Sequence, residues 1–165
     1  MERTQPPYES DERTMLVAFL DYLRETMVWK LEGLSEEQAR WKPTEGGNSL
    51  LGLVRHLGYV ENWWFRVCLN GEEDPLPADP EDPDADFKVP DGWTISDVVA
   101  FYKDEIEHSN KIVSESPSLD QMSAIAARKA RRSLRWILVH MVEETARHAG
   151  HADITRELID GSVGE

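Results

Sequence analysis

SLRWILVHMVEETARHAGHADITRELIDG, residues 133 to 161, decides the fold. Ser133 offers an N-cap, and Leu134, Ile137, Leu138, Met141, Val142, Thr145 and Leu158 recur at helical steps along one side. Gly150 is tolerated inside the pattern, and Gly161 stands where the helix should end. An amphipathic helix of this length has to bury its apolar face against other elements. No segment of the chain alternates apolar and polar residues as a half-buried strand does, and three further amphipathic stretches precede this one. The expected architecture is all-α, a four-helix bundle.

Working outward, helix one starts near Asp11 with Ser10 as its N-cap. It carries Met15, Leu16, Phe19, Leu20, Leu23, Met27 and Leu31 before Gly33. Ser35, followed by Glu36, Glu37 and Gln38, predicts a short capped turn, and Lys42-Pro43 with Gly46-Gly47 forbids its continuation. From Ser49, Leu50, Leu53, Val54, Leu57, Val60, Trp64 and Val67 keep helical spacing until Asn70-Gly71, which gives helix two. Helix three is capped around Thr94 to Asp97 and carries Val98, Val99, Tyr102, Ile106 and Ile112 up to Ser116-Pro117. Residues 71 to 91 hold nine Asp or Glu and five Pro, so the stretch reads as a long exposed acidic loop; nothing in it has ligand spacing, which favours a solvated connection over a lid. Residues 118 to 132 lose the pattern, and Arg128, Lys129, Arg131 and Arg132 read as a surface patch. The six tryptophans read as core.

The 165 residues suit one domain spanning 1–165. A formal charge of −14 repels phosphate backbones and, with no basic face interleaved with aromatics, argues against nucleic acid as a partner. The single Cys68 has no disulfide partner; no leader opens the sequence and no apolar run suits a bilayer, so the expectation is a cytoplasmic protein without membrane association.

The last helix also carries three histidines and two glutamates within residues 140 to 151. At about 100° per residue, with His140 as zero, Glu144 falls near 40°, His148 near 80° and His151 near 20°. The apolar residues centre at about 110°, so this polar stripe overlaps the buried flank, where a carboxylate and imidazoles need hydrogen bonds, ion pairs or a cation. Glu144 and His148, at i and i+4, are close enough to hold one ion. A third ligand has to come from another element, and His56 is the candidate, set among Leu53, Val60, Trp63 and Val67, with Gly52 leaving space one turn earlier. Three ligands with a fourth place open is the arrangement of catalytic zinc sites. Taken singly, each residue has a plain structural reading: a buried histidine satisfied by its surroundings, or half of an ion pair, as expected for Glu143 with Arg147. His108 lacks a ligand-spaced partner and reads as surface. Cys68, roughly 18 Å along the helix from His56, reads as packing.

SLLGLVRHLGYVENWWF on helix two, together with the closing stretch quoted above, resembles the DinB/YfiT-like superfamily of bundle metalloproteins, and most nearly its branch beside mycothiol-dependent maleylpyruvate isomerase. The resemblance spans nearly the whole chain. It implies a divalent metal, zinc or nickel, on His56, Glu144 and His148, with Glu144 replacing the histidine of the common three-histidine form and leaving the metal's identity open. It further implies a thiol-dependent S-transferase or isomerase that takes a low-molecular-weight thiol of the mycothiol or bacillithiol type and a small-molecule substrate. His140 and His151 stand within a turn of these ligands and are candidates to orient them or to move a proton, His140 being the candidate catalytic group. The alternatives are a noncatalytic metal-binding stress-response bundle, in homodimeric form, and a metal-assisted hydrolase using His140 as base.

Overall fold

The computed structural model describes residues 3–76 and 78–164. Four long helices form the body: α1 (Glu12–Trp29), α3 (Leu50–Glu61), α4 (Ile95–Glu115) and α5 (Leu134–Asp160), with the short α2 (Glu36–Arg40) between α1 and α3. No strand occurs among the described residues; the only ladder pairs are the isolated bridges Met122 with Ser133 and Ala127 with Ala130. α1 packs on α5, and α3 packs on both α4 and α5. This is the expected all-α bundle of four long helices. No described helix is long and apolar enough to cross a membrane.

The helix ends follow local chemistry. Asp11, rather than the expected Ser10, caps α1 by accepting from the Thr14 N–H; its carboxylate suits the positive end of the helix better than a hydroxyl would. Ser35 with Gln38, and Thr94 with Asp97, form capping boxes on α2 and α4. Ser133 starts α5, and Gly161, at φ +77°, ends it in the left-handed conformation that lacks a steric cost only for glycine.

The sequence predicts one uninterrupted helix from Ser49 to Asn70. Instead α3 passes at Glu61 into a π-helix, Asn62–Leu69, in which the Asn70 N–H reaches back to the Phe65 carbonyl at 3.1 Å. The wider turn shifts the register, so that Phe65, Cys68 and Leu69 stay buried while Trp63 and Trp64 lie half-buried. Apolar spacing alone cannot reveal this, because the same residue types satisfy both registers.

The core divides into two apolar groups. One gathers Met27, Leu50, Leu53, Leu57, Val98, Tyr102, Ala149 and Ala152. The other gathers Leu20, Val60, Phe65, Ile112, Leu134, Ile137, Leu138 and Met141. On α5 the second group ends at Met141 and the first begins at Ala149; on α3 the division falls between Leu57 and Val60. Glu144 and His148 on α5, and His56 on α3, therefore sit at or beside the seam between two dry regions. Each fully buried Leu or Met in these groups stabilises the fold by roughly 1.5–3 kcal/mol, enough to carry a costly polar cluster between them.

Several expected core residues are not core. None of the six tryptophans is fully buried, and Trp41 and Trp136 are exposed at 43% and 42%. Phe19 and Leu158 also face outward, although their spacing matched the apolar stripes of α1 and α5. Helical periodicity marks an apolar face without saying whether another helix, a cavity or solvent covers it.

Candidate metal centre

His56 on α3 and Glu144 and His148 on α5 meet, with one donor atom of each within 4.8 Å of the others. The side chains keep only 11%, 15% and 10% of their accessibility. Glu144 Oε1 lies 3.4 Å from His56 Nε2 and 3.2 Å from His148 Nε2. These are long for hydrogen bonds, whose usual N···O separation is about 2.9–3.0 Å. They suit a shared ion better: donors about 2.1 Å from a tetrahedral zinc stand about 3.4 Å from one another. The donor set, two imidazoles and one carboxylate, also suits zinc, nickel and other borderline divalent cations.

The long acidic connection supplies what the sequence did not reveal. A 3-10 turn, Ala85–Phe87, places Asp86 against His56, with Oδ2 2.6 Å from Nδ1. A carboxylate can only accept here, so Nδ1 carries the proton and the Nε2 lone pair points at Glu144. Phe87 stacks on the face of the His56 imidazole, its ring 3.9 Å from that of His56 and 11° from parallel. Arg55, one residue before His56, donates to the Ala85 carbonyl at 2.8 Å and holds the turn in place. Gly52 does not leave space for an ion, as its position suggested. A Cβ there would stand 2.6 Å from the Phe87 carbonyl oxygen, so the glycine admits the loop backbone. The acidic connection is thus more than solvated chain at this one point. The missed signal is a single Asp-Phe pair in a stretch where acidic residues are too common to single one out.

The charges are strongly coupled. The imidazoles, His148 first and then His56, hold the Glu144 carboxyl far below the usual carboxylate range, against the opposing effect of burial. Burial disfavours the charged form of His56, but hydrogen bonds to Asp86 and Glu144 outweigh it and raise its pKa above the ordinary 6.5.

Glu144 is also one wall of a cavity of about 750 Å³ that opens between α5 and the π-helix. Trp63, Trp64 and Trp136 line it, and His140 lies between two of them, 4.8 Å from the Trp64 ring and 5.1 Å from the Trp136 ring. His140 therefore faces the same space as Glu144 without touching the three clustered side chains. His151 does not join it. It is exposed beside α3 residue Leu53 and the 43–48 segment, with its ring 5.7 Å from that of His148. Arg128, Lys129 and Arg131 are exposed, as read from the sequence, and Arg132 is half-buried; Arg128 and Arg132 also line the mouth of the cavity. Glu143 pairs with Arg147, His108 is exposed and bonded to the Asp104 carbonyl, and Cys68 is buried, all as expected.

Replacing Asp86 by Ala should weaken divalent-metal affinity about 10- to 100-fold, because His56 loses the group that fixes its tautomer and its ring. Competition against a chromophoric chelator measures this, and an unchanged affinity would remove Asp86 from the site.

A family model described as mycothiol S-transferase matches residues 15–161. Among solved structures, the crystal structure of the conserved protein of locus from Enterococcus faecalis is similar, with a TM-score of 0.74 and 17% identity over 93% of this chain and 100% of that one. At that identity the likeness shows the fold alone. No curated protein matches.

Proposed function

The chain belongs to the mycothiol S-transferase family of the DinB/YfiT-like superfamily, and from that premise we propose that it is a divalent-metal-dependent transferase moving the sulfur of mycothiol, or a thiol like it, onto a small electrophile. The observation that carries this reading is the placement of Glu144, which belongs both to the His56–Glu144–His148 cluster and to the wall of the cavity.

His56, Glu144 and His148 would hold the ion, zinc or nickel. When bound, such a cation supplies the Lewis acidity that lets a thiol in its open position lose a proton near neutral pH. The protein's own groups do the rest. Asp86 and Phe87 fix the His56 ring, and the two dry core groups exclude water from the cluster's inner side. His140, within the cavity and 3.5 Å from the Glu143 carboxylate, takes the thiol proton. Sulfur then forms its bond to the electrophilic carbon. Where that carbon carries a leaving group, the group departs with the bonding pair; where it is an activated double bond, the π pair takes the proton back from His140.

The test is a direct transfer assay. Metal-replete chain, mycothiol and a thiol-reactive electrophile should give the thioether conjugate by mass spectrometry as free thiol disappears. His140→Gln should lower the rate about 10²-fold or more, as for loss of a positioned base. The reading fails if mycothiol, bacillithiol and glutathione are each consumed no faster than without protein.

A further inference from the structure

Two features of the cavity play no part in activating a thiol. The first is charge. Glu143 and Glu144 line the cavity, but Arg147 already pairs with both, lying against Glu143 and 3.7 Å from Glu144 Oε2. Arg128 and Arg132 are left over. The Arg132 guanidinium lies 4.9 Å from the Trp136 ring and donates only a long 3.4 Å bond to the Arg131 carbonyl. Arg128 makes no hydrogen bond or ion pair with any described residue.

The second feature is backbone conformation. Arg128 and Lys129 have φ values of +49° and +73°, and they are the described non-glycine residues with positive φ. Ala127 and Ala130, on either side, exchange hydrogen bonds at 2.9 and 3.3 Å. This is a two-residue turn with both central φ angles positive, a shape that Asn-Gly adopts readily and Arg-Lys does not. The surrounding chain holds it. The Ser123 N–H donates to the Arg132 carbonyl at 2.7 Å, and the Ala124 and Ile125 N–H groups donate to Leu69 and Cys68 at 3.0 and 3.2 Å. The turn is thus fastened to the end of the same π-helix that presents Trp63 and Trp64. A strained turn carrying an unpaired guanidinium at a cavity wall is the kind of feature found at ligand clamps.

Guanidinium groups match planar carboxylates through paired N–H donors, and indole faces bury apolar bodies. We propose that the cavity binds the electrophile that accepts the thiol's sulfur as an organic carboxylate, clamped by Arg128 and Arg132, with its apolar body among Trp63, Trp64 and Trp136. The role assigned to that ligand rests on the transferase reading, whereas its binding does not require the ion.

Calorimetric titration of the full chain with cinnamate and with uncharged cinnamamide tests this. The acid should bind at least about tenfold more tightly than the amide, the range expected for charge-assisted hydrogen bonds. In an Arg128→Gly/Arg132→Gln variant the ratio should fall below about threefold, while the melting temperature does not drop, since glycine relieves the turn. His148→Ala should keep the wild-type ratio, and that result would leave the carboxylate site standing even if no transfer activity were found. No binding of cinnamate, equal binding of acid and amide, a preference that survives loss of both arginines, or displacement by an equal concentration of inorganic phosphate would each overturn it.

Discussion

His148→Ala is expected to lower divalent-metal affinity by roughly two to three orders of magnitude. Structural zinc sites with four ligands contribute roughly 10–16 kcal/mol, so one ligand accounts for about 2.5–4 kcal/mol, and each 1.4 kcal/mol is a factor of ten. Metal analysis after dialysis against a limiting free ion measures it directly. A variant that retains as much metal as the wild type refutes the site, and so does a wild type that binds none. Chelation should nevertheless leave the chain folded, because the cluster has internal partners without the ion: Asp86 for His56, and both imidazoles for Glu144. A collapse of the fold on chelation would favour the noncatalytic, structural role for the ion. The two states also respond to pH with opposite sign. In the metal-free chain the raised pKa of His56 contributes stability below its ordinary 6.5, lost as pH rises through the folded value, and the lowered pKa of Glu144 contributes stability above its ordinary 4.5, lost as pH falls through the folded value. The metal-free cluster is therefore most favourable between about 4.5 and 6.5. The ion needs the neutral ring, so its contribution grows as pH rises through the same upper limit.

The clustering of His56, Glu144 and His148 was legible in the sequence because it depends on angles along one helix and on a single histidine in an apolar stripe. Glu144 and His148 share a direction on any α-helix, and His56 had to face the interior given its neighbours. The rest of the site was not legible, for specific reasons. Asp86 acts through a 3-10 turn whose position depends on Gly52 and Arg55, long-range packing that no local pattern encodes. The cavity depends on the π-helix, which turns Trp63 and Trp64 out of the core by changing register partway along a helix with unbroken apolar spacing. Arg128 is exposed and Arg132 half-buried, and their place beside the cavity was hidden because the turn at 127–130 has none of the Gly or Asn residues that usually announce one. In each case the sequence shows the residue and conceals the backbone that aims it.

That backbone is pinned at one buried ion pair, and Glu61→Ala is expected to destabilise the chain by about 3–5 kcal/mol, the usual cost of leaving half of such a pair unmatched. Glu61 is the last residue of α3, fully buried, and both its oxygens accept from Arg24 of α1 at 2.7 Å. Arg24 is 3% exposed and also donates to Asp21 and Asn110 at 2.7 and 2.9 Å, so α1, α3 and α4 converge on one guanidinium. Burial disfavours its charged form, but the charge and hydrogen bonds of Glu61 more than compensate and raise its pKa. With the carboxylate gone, Asp21 remains as partner, but it is partly exposed and approaches from one side only. At about 2–4 °C per kcal/mol for a chain of this size, the melting temperature should fall by roughly 6–20 °C. The double variant Arg24→Met/Glu61→Leu should recover most of that loss, since an apolar pair of similar volume needs no compensation. The same pair stands where the α-helix becomes the π-helix, so the recovered double variant should regain stability without regaining the site: its Trp63–Trp64 register is no longer fixed by charge, and cinnamate binding in the cavity should remain weaker than in the wild type. Full stability in the single variant would show that Asp21 suffices. A double variant with wild-type cinnamate affinity would show that apolar packing alone sets the register, and that Arg24 and Glu61 have no part in shaping the cavity.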